Sequence, residues 1–562
     1  MEKALGLPEI IACIGKYLTR SDILCCIRVQ KSWKSELEPL LWRTFTCLPS
    51  IDDYGAPSTE RRPNLILMQK NAENIRRLYI EEMDPAYHMQ FFCQCSQLEE
   101  ITFSADKTAL RSVQAELRLW GRLADMIQNH SRLRKIVIKS NPFKTLAPSS
   151  TLLNTLLKCP KLIVFETTEC TFNLESTEAY LRANSSNIRR LSTRRDKFSK
   201  EFDFSSSDLV FREMRYLDLR EVADMSIETQ IQWITRCPNL ISLYWETAQI
   251  IPTTKFCQLV PTSCPNLTAL HLLLPLHDQE IEQILKAIPR IEKLSLTRTH
   301  FGRLAFEALR RHFPTLKDIN LQLAPGASSP MIQEIMSSCP NLQSISGETL
   351  CYRDIVKGPW VCQNLQMFDV GIRVLELEDI KDEEEEGKEG WTVGMHRAVY
   401  ARLSQLSKLE YLSICNSDYP DEGLLMLSLD AGLGQLETLK QLTFFSCKLL
   451  FCQPRVRQEA VRIVEWMVQH WKYLESLEGG LALWPEDDGV YEKTMNILKK
   501  HGVQFLDYQD MLDDMDGDYI DEDEEEDFDD EFTDEYEGEY LDDEYDDPDD
   551  ELLADMLNNI DM

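Results

Sequence analysis

The sequence predicts an α/β repeat solenoid, with a curved parallel sheet inside and helices outside, bounded by a small helical module and an acidic tail. Three observations carry this reading. The phrase Cys237-Pro238-Asn239-Leu240 returns 27 residues later as Cys264-Pro265-Asn266-Leu267, each copy followed by an alternating apolar run. Pairs of apolar residues three apart recur along most of the chain at nearly constant steps. Each step holds two hydrophobic periods, a short alternating one and then a helical one. Fixed-period self-similarity of this length marks units that stack only on their neighbours.

Taken in order, the chain opens with helical signals. Pro8 suits a first helical turn, and Ile10, Ile11, Ile14 and Leu18 follow at one-face spacing. Ser21 or Asp22 is placed to cap a second helix carrying Ile23, Leu24, Ile27 and Val29. Trp33 and Leu37 predict a third, ended by Pro39. Three short helices make a poor core alone, so a partner or the next domain must cover their remaining apolar side.

These residues resemble an F-box. The match runs through Leu7-Pro8-Glu9-Ile10-Ile11, Tyr17-Leu18, Asp22-Ile23-Leu24, Val29-Gln30-Lys31-Ser32-Trp33 and Leu40-Leu41-Trp42, in F-box order and spacing. Gln30 stands where the family often has cysteine. The resemblance implies a three-helix module over residues 1–46 that docks on the small adaptor of a cullin-based (SCF) ubiquitin ligase. Carried over residue by residue, Leu7, Pro8, Ile10, Ile11, Ile14, Leu24 and Trp33 make or support that contact. The plain alternative is a helical cap closing the repeat array.

Residues 47–505 hold the repeats. Pattern starts fall at Ile75, Leu98, Leu133, Leu162, Ile188, Met214, Leu240, Leu267, Ile291, Leu316, Leu342, Leu365, Leu409, Leu439 and Leu474. From Leu162 to Leu365 the steps are 26, 26, 26, 27, 24, 25, 26 and 23 residues. Leu267, Leu270, Leu272 and Leu274 predict a strand, and Ile281, Ile284, Leu285 and Ile288 a helix. The next units repeat the alternation with Leu294 and Leu296 before Leu304, Ala305, Ala308 and Leu309, then Ile319 and Leu321 before Ile332, Ile335 and Met336, with Pro330 opening the helix. One unit buries too little to offset the entropy of ordering it, so the units must stack.

This pattern resembles the leucine-rich repeat, in its long strand-helix form. The family's usual turn Asn or Cys is matched only at Asn141, Cys170 and Cys447. The Cys-Pro pairs at 159, 237, 264 and 339 read as helix stops with a small thiol packed beneath the turn. Function in such arrays is expected on the strand face turned away from the core. In the regular middle that face holds Tyr216, Asp218, Arg220, Ser242, Tyr244, Glu246, Ala269, His271, Lys293, Ser295, Asp318, Asn320 and Gln322. Mixed polarity with tyrosines suits protein recognition.

The 44-residue step from Leu365 to Leu409 contains DIKDEEEEGKE, read as an exposed acidic loop inserted at about 378–390. Residues 506–562 form an acidic tail, expected to be disordered because residues 513–551 hold 26 Asp or Glu among 39. Leu552, Leu553, Met556, Leu557 and Ile560 are placed to form a short amphipathic end helix.

Net charge is −34, yet 30 of the 94 acidic residues lie between His501 and Met562 without a single Lys or Arg. The remainder carries 64 acidic against 60 basic residues, so the body is near neutral. That argues against nucleic acid as a direct partner, which needs a basic face. Seventeen scattered cysteines read as reduced thiols of a cytoplasmic and/or nuclear protein. Cys93-Gln94-Cys95 with His88 lacks the second pair of a zinc site, so neither a metal nor a cofactor is expected. No secretory signal or membrane span is read. No phosphate-binding glycine loop, HExxH or GxSxG is present, so the chain is expected not to be an enzyme itself.

Together the two resemblances imply the substrate-recognition subunit of an SCF-type ubiquitin ligase, with adaptor and cullin at one end and a protein substrate on the repeat face. The alternative is an acidic-tailed leucine-rich-repeat scaffold binding basic proteins such as histones.

Overall fold

The computed structural model describes residues 7–47, 69–81, 95–104, 113–139, 150–172, 174–198, 209–222, 225–374, 389–414, 425–447, 454–479 and 489–507. The acidic loop up to residue 388, the tail from 508, the end-helix residues, Asn141, and His88 with Cys93 and Gln94 lie outside them.

Apolar residues at alternate positions, flanked by turns, give short strands, and the strands pair in strict chain order. Seventeen of them, from Thr44–Cys47 to Gln504–Asp507, form one sheet in which every described pair is parallel. Tyr216–Arg220 pairs with Ser242–Glu246, which pairs with Ala269–Leu273, so that Leu217, Leu243 and Leu270 lie side by side in register. All three are fully buried. The ladder extends one residue before each strand, as in Ile241 N–H to Arg215 C=O (2.9 Å) and Glu292 N–H to Thr268 C=O (2.8 Å). A stacked unit thus satisfies the backbone groups that a lone one leaves open.

Helices return the chain between strands and pack on one another along one side of the sheet. Thr253–Ser263, Asp278–Ala287 and Arg303–Leu309 succeed one another in this way. Their inward residues join the strand leucines in one continuous core from Ala72 to Val503. The other face of the sheet is open. This is the leucine-rich-repeat architecture the sequence predicts.

Five units turn out of their strands at the same place. Glu169, Arg195, Glu221, Arg298 and Leu323, each five residues past the first residue of its strand, adopt positive φ between 49° and 59°. The first four donate their N–H to the carbonyl of Arg194, Arg220, Glu246 and Leu323 in the next unit, which holds this costly conformation.

The cysteine stops behave as expected. Cys159, Cys237, Cys264 and Cys339 are buried, and the Cys237 and Cys264 thiols face the carbonyls of Trp233 (3.5 Å) and Ile234 (3.2 Å). The asparagine two residues later also works: the side-chain amides of Asn239 and Asn341 donate to the carbonyls of Arg212 and Pro314 at 2.8 Å, one unit back.

Three helices precede the sheet: Pro8–Gly15, Arg20–Val29 and Lys31–Leu41. Two expectations change here. The second helix is capped by Thr19, not by Ser21 or Asp22. Thr19 Oγ1 accepts from Asp22 N–H (3.2 Å) and Asp22 Oδ2 accepts from Thr19 N–H (3.1 Å), a reciprocal capping box. Pro39 does not end the third helix but sits inside it, two residues from the end, where only one intrahelical bond is lost.

The boundaries shift as well. Thr44–Cys47 is the first strand of the sheet rather than the end of the helical module, and Gln504–Asp507 carries the last strand past residue 505. Arg43 C=O accepts from both Arg76 and Arg77 N–H (3.0 Å each), which joins module to sheet. The unit assigned to Leu439 starts at Leu442, because Phe445, three residues on, is the buried strand residue in register with Leu412. Glu389 and Gly390, read as loop, open the helix Glu389–Leu403. Leu304, read as inward, is exposed.

Candidate functional site

Two surfaces collect the residues singled out from sequence, and the first is the helical module. Its own core is only Ile11, Ile23 and Leu37, with Leu18, Ile27, Trp33, Leu40 and Leu41 packed against it. Gly15 is part of how so small a core closes: a Cβ there would meet Leu40 and Leu37 side-chain carbons at 2.5 and 2.6 Å. Of the residues implied by the F-box resemblance, Ile11 is thus a core residue and Trp33 a half-buried support. Pro8 occupies the first turn and Leu7 the N-cap. Leu7, Ile10, Ile14 and Leu24 remain 49, 37, 38 and 42% exposed, large apolar side chains facing water.

The second surface is the open face of the sheet, where strand alternation and parallel register set side chains in rows. One row reads Arg190, Tyr216, Ser242, Ala269, Lys293 and Asp318, and the next Ser192, Asp218, Tyr244, His271, Ser295 and Asn320. Arg194, Arg220 and Glu246 form a third row beside them.

Asp218 anchors this region. Its side chain is fully buried although it lies on the face turned away from the core. Arg220 forks onto both carboxylate oxygens at 2.8 Å each, Arg194 Nε donates to Oδ2 at 3.1 Å and Ser192 Oγ at 2.9 Å. Burial is tolerable because every lone pair that faces inward meets a donor. The hydrogen bond to Asp218 also holds the Arg220 guanidinium above its ordinary pKa.

Around this anchor lies an aromatic stack. The Arg190 guanidinium sits 3.9 Å from the Tyr216 ring centre, Tyr216 lies 5.3 Å from Tyr244, and Tyr244 stacks on His271 at 3.6 Å. Arg220 also faces the Tyr244 ring at 5.2 Å. Burial first, then Asp218 nearby, pushes the Tyr216 phenol up to about 12. Burial pushes the His271 imidazole down to about 4, so it is neutral at pH 7. Burial and then Glu221 push the Glu246 carboxyl up.

The remaining predicted residues are more scattered. Lys293 is exposed and pairs with Asp318 at 3.3 Å. Asn320 is half-buried and its Oδ1 accepts from Gln322 N–H at 2.9 Å. Ala269 and Ser295, expected at the surface, are buried because they are short side chains between longer neighbours. The structure therefore brings Tyr216, Asp218, Arg220, Tyr244 and His271 together, with Lys293 and Asn320 on the following strands.

Arg190, Ser192 and Arg194 belong to the same constellation and escaped the sequence reading. The signal was there: a step of 26 residues back from Tyr216, Asp218 and Arg220 lands on them. Tyr411 and Phe444, stacked at 4.4 Å with 1° between planes on the same face farther along, were hidden by the irregular steps around them.

Among the described residues no group of His, Cys, Asp and Glu is placed to hold a metal ion. No described helix is long and apolar enough to cross a membrane.

No family model matches the chain, and no curated protein matches it. Among solved structures it is similar to a chain of the TLR13–ssRNA13 complex, at 12% identity over 73% of this chain and 53% of that one, TM-score 0.37. It is also similar to a chain of the Toll–Spatzle complex of Drosophila (14% identity, 75% and 49% covered, TM-score 0.30) and of the mouse RP105/MD-1 complex (13%, 76% and 78%, TM-score 0.31). The chain thus spans about half the length of the first two.

Proposed function

We propose that this chain is the substrate-recognition subunit of an SCF-type ubiquitin ligase, its helical module docked on the ligase adaptor and its open sheet face holding a protein substrate. The observation that carries the reading is the exposure of Leu7, Ile10, Ile14 and Leu24 on helices whose own core is three side chains. A solvated cap would have polar residues at those places, whereas exposed large apolar residues mark a protein contact. They are also the residues that the F-box resemblance assigns to the adaptor.

The sheet face fits the other half of the task. Tyrosines and arginines, rigid or pre-set by their ion pairs, are the side chains on which protein interfaces concentrate their energy. The chain then performs no bond chemistry. It acts by proximity, since holding a substrate near the charged ubiquitin carrier raises the effective concentration of its lysines. On this reading it works with the adaptor, and through it a cullin, in the cytoplasm or nucleus.

The test is reconstitution. The full chain, mixed with purified adaptor and cullin, is expected to co-elute with both, and an Ile10→Asp, Leu24→Asp variant to elute apart from them. A parent chain that elutes alone removes the ligase reading and leaves the acidic-tailed scaffold.

A further inference from the structure

The open sheet face changes character along its length. Between residues 190 and 296 its aromatic rings already have cations: Arg190 lies over Tyr216 and Arg220 faces Tyr244. From Met367 onward the register places Met367, Tyr411, Phe444, Ser476 and Gln504 in one row, and Asp369, Ser413, Ser446, Glu478 and Leu506 in the next. These two rows hold a stacked aromatic pair and two carboxylates, and no Lys or Arg. Among the described residues no guanidinium or ammonium sits over Tyr411 or Phe444.

Two further observations point to a ligand. Ser446, beside Phe444 on this face, is fully buried, and among the described residues its hydroxyl has no hydrogen-bond partner. A buried hydroxyl without a partner is costly unless an incoming group supplies one. The sequence that follows the four strands is acidic on balance: the stretches 375–388, 415–424, 448–453 and 480–488 contain 14 Asp or Glu against 3 Lys. That excess of negative charge in the connecting sequence favours a cationic ligand.

We propose that the Tyr411–Phe444 pair, with Asp369, Ser446 and Glu478, is a docking site for a basic side chain of a protein ligand, so that the partner of this face is a lysine- or arginine-bearing segment. The cation rests on the ring faces, which attract it through their quadrupole, and the carboxylates supply the countercharge. The site rests on the reading of the sheet face as a protein-recognition surface, and not on the docking of the helical module.

The test uses the full chain and a fluorescent decapeptide with four lysines, titrated at 0.15 M salt. The tail also attracts basic peptides, so the readout is the difference between parent and variants that keep the tail. Asp369→Asn and Tyr411→Leu are each expected to weaken binding at least tenfold, while Tyr491→Leu, exposed on the helix Val490–His501, leaves it within twofold. With acetylated lysines, parent and Asp369→Asn are expected to bind the same peptide equally, because the charge that the carboxylate reads is gone. Because Tyr411→Leu alters a packed pair, its near-ultraviolet circular dichroism and melting temperature are compared with the parent, and Asp369→Asn, at a half-buried position, decides the matter if they differ. Equal binding by parent and Asp369→Asn overturns the proposal and assigns the affinity to the tail. No binding by the parent overturns it too. Adaptor co-elution, measured on the same variants, fails or succeeds separately.

Discussion

Tyr244 and His271 lie face to face across neighbouring strands, 3.6 Å between ring centres and 8° between planes. The same packing buries the imidazole and so disfavours its charged form. Burial is the main force lowering its pKa to about 4, opposed by Asp318 and reinforced by Lys293 and Arg220.

An acid-sensitivity prediction follows from the sign of that shift. The folded pKa lies below the ordinary value of 6.5, so between pH 6.5 and 4 the unfolded chain binds the proton first. Stability contributed by His271 is complete above pH 6.5 and is lost as pH falls toward 4. His396, buried and lowered to about 4 with Nδ1 accepting from Met426 N–H, acts in the same direction. Melting temperature measured over this window is expected to fall less steeply for His271→Gln than for the parent. Parallel curves would mean that the imidazole is not held neutral by the fold.

Asp218 offers a second test. Asp218→Ala removes the shared acceptor of Arg194, Arg220 and Ser192, and hydrogen bonds to charged groups are worth about 1.5–3 kcal/mol. Arg194 can turn into water, so a loss toward the lower end is expected in urea unfolding. Asp218→Asn, which keeps an acceptor but no charge, should cost less. A neutral Asp218→Ala would mean that the cluster adds nothing to the face.

The core holds a third. Trp245 Nε1 donates to Gln230 Oε1 at 2.6 Å, and Gln230 Nε2 donates to Met225 C=O at 3.1 Å. The same device recurs at Trp360 and Gln333 (2.8 Å). Gln230→Leu strands a buried indole N–H, at an expected cost of about 1–3 kcal/mol. Adding Trp245→Phe removes that orphan, so the double variant should be less destabilised than the sum of the two single changes. Strict additivity, read from denaturation midpoints, would count against the pairing.

How far the sequence carried the structure depended on periodicity. Leu217, Leu243 and Leu270 were legible because a strand must bury alternate residues and every unit does so at the same phase. The first strand, Thr44–Cys47, was not, because Phe45 is the sole large apolar residue in a strand at the edge of the array. Leu439 was mistaken for Leu442 because the residue three before most starts is apolar too, being the helix stop filled by Cys159, Cys237 or Cys339. Thr19 was missed because Asp22, the nearer candidate, performs the other half of the same capping box. On the face, alternation predicted which side Asp218 takes but not its burial, which arises from two arginines on different strands closing over it.

The module's reading is tested most directly by calorimetric titration of the full chain with purified SCF adaptor, beside Leu24→Asp. Leu24 is 42% exposed and outside the three-residue core, so its replacement should leave the melting curve of the chain unchanged. Saturable binding by the parent is expected, and for Leu24→Asp a weakening of at least a hundredfold, about 2.7 kcal/mol. Absence of heat from the folded parent, or equal affinity in the two proteins, would contradict it.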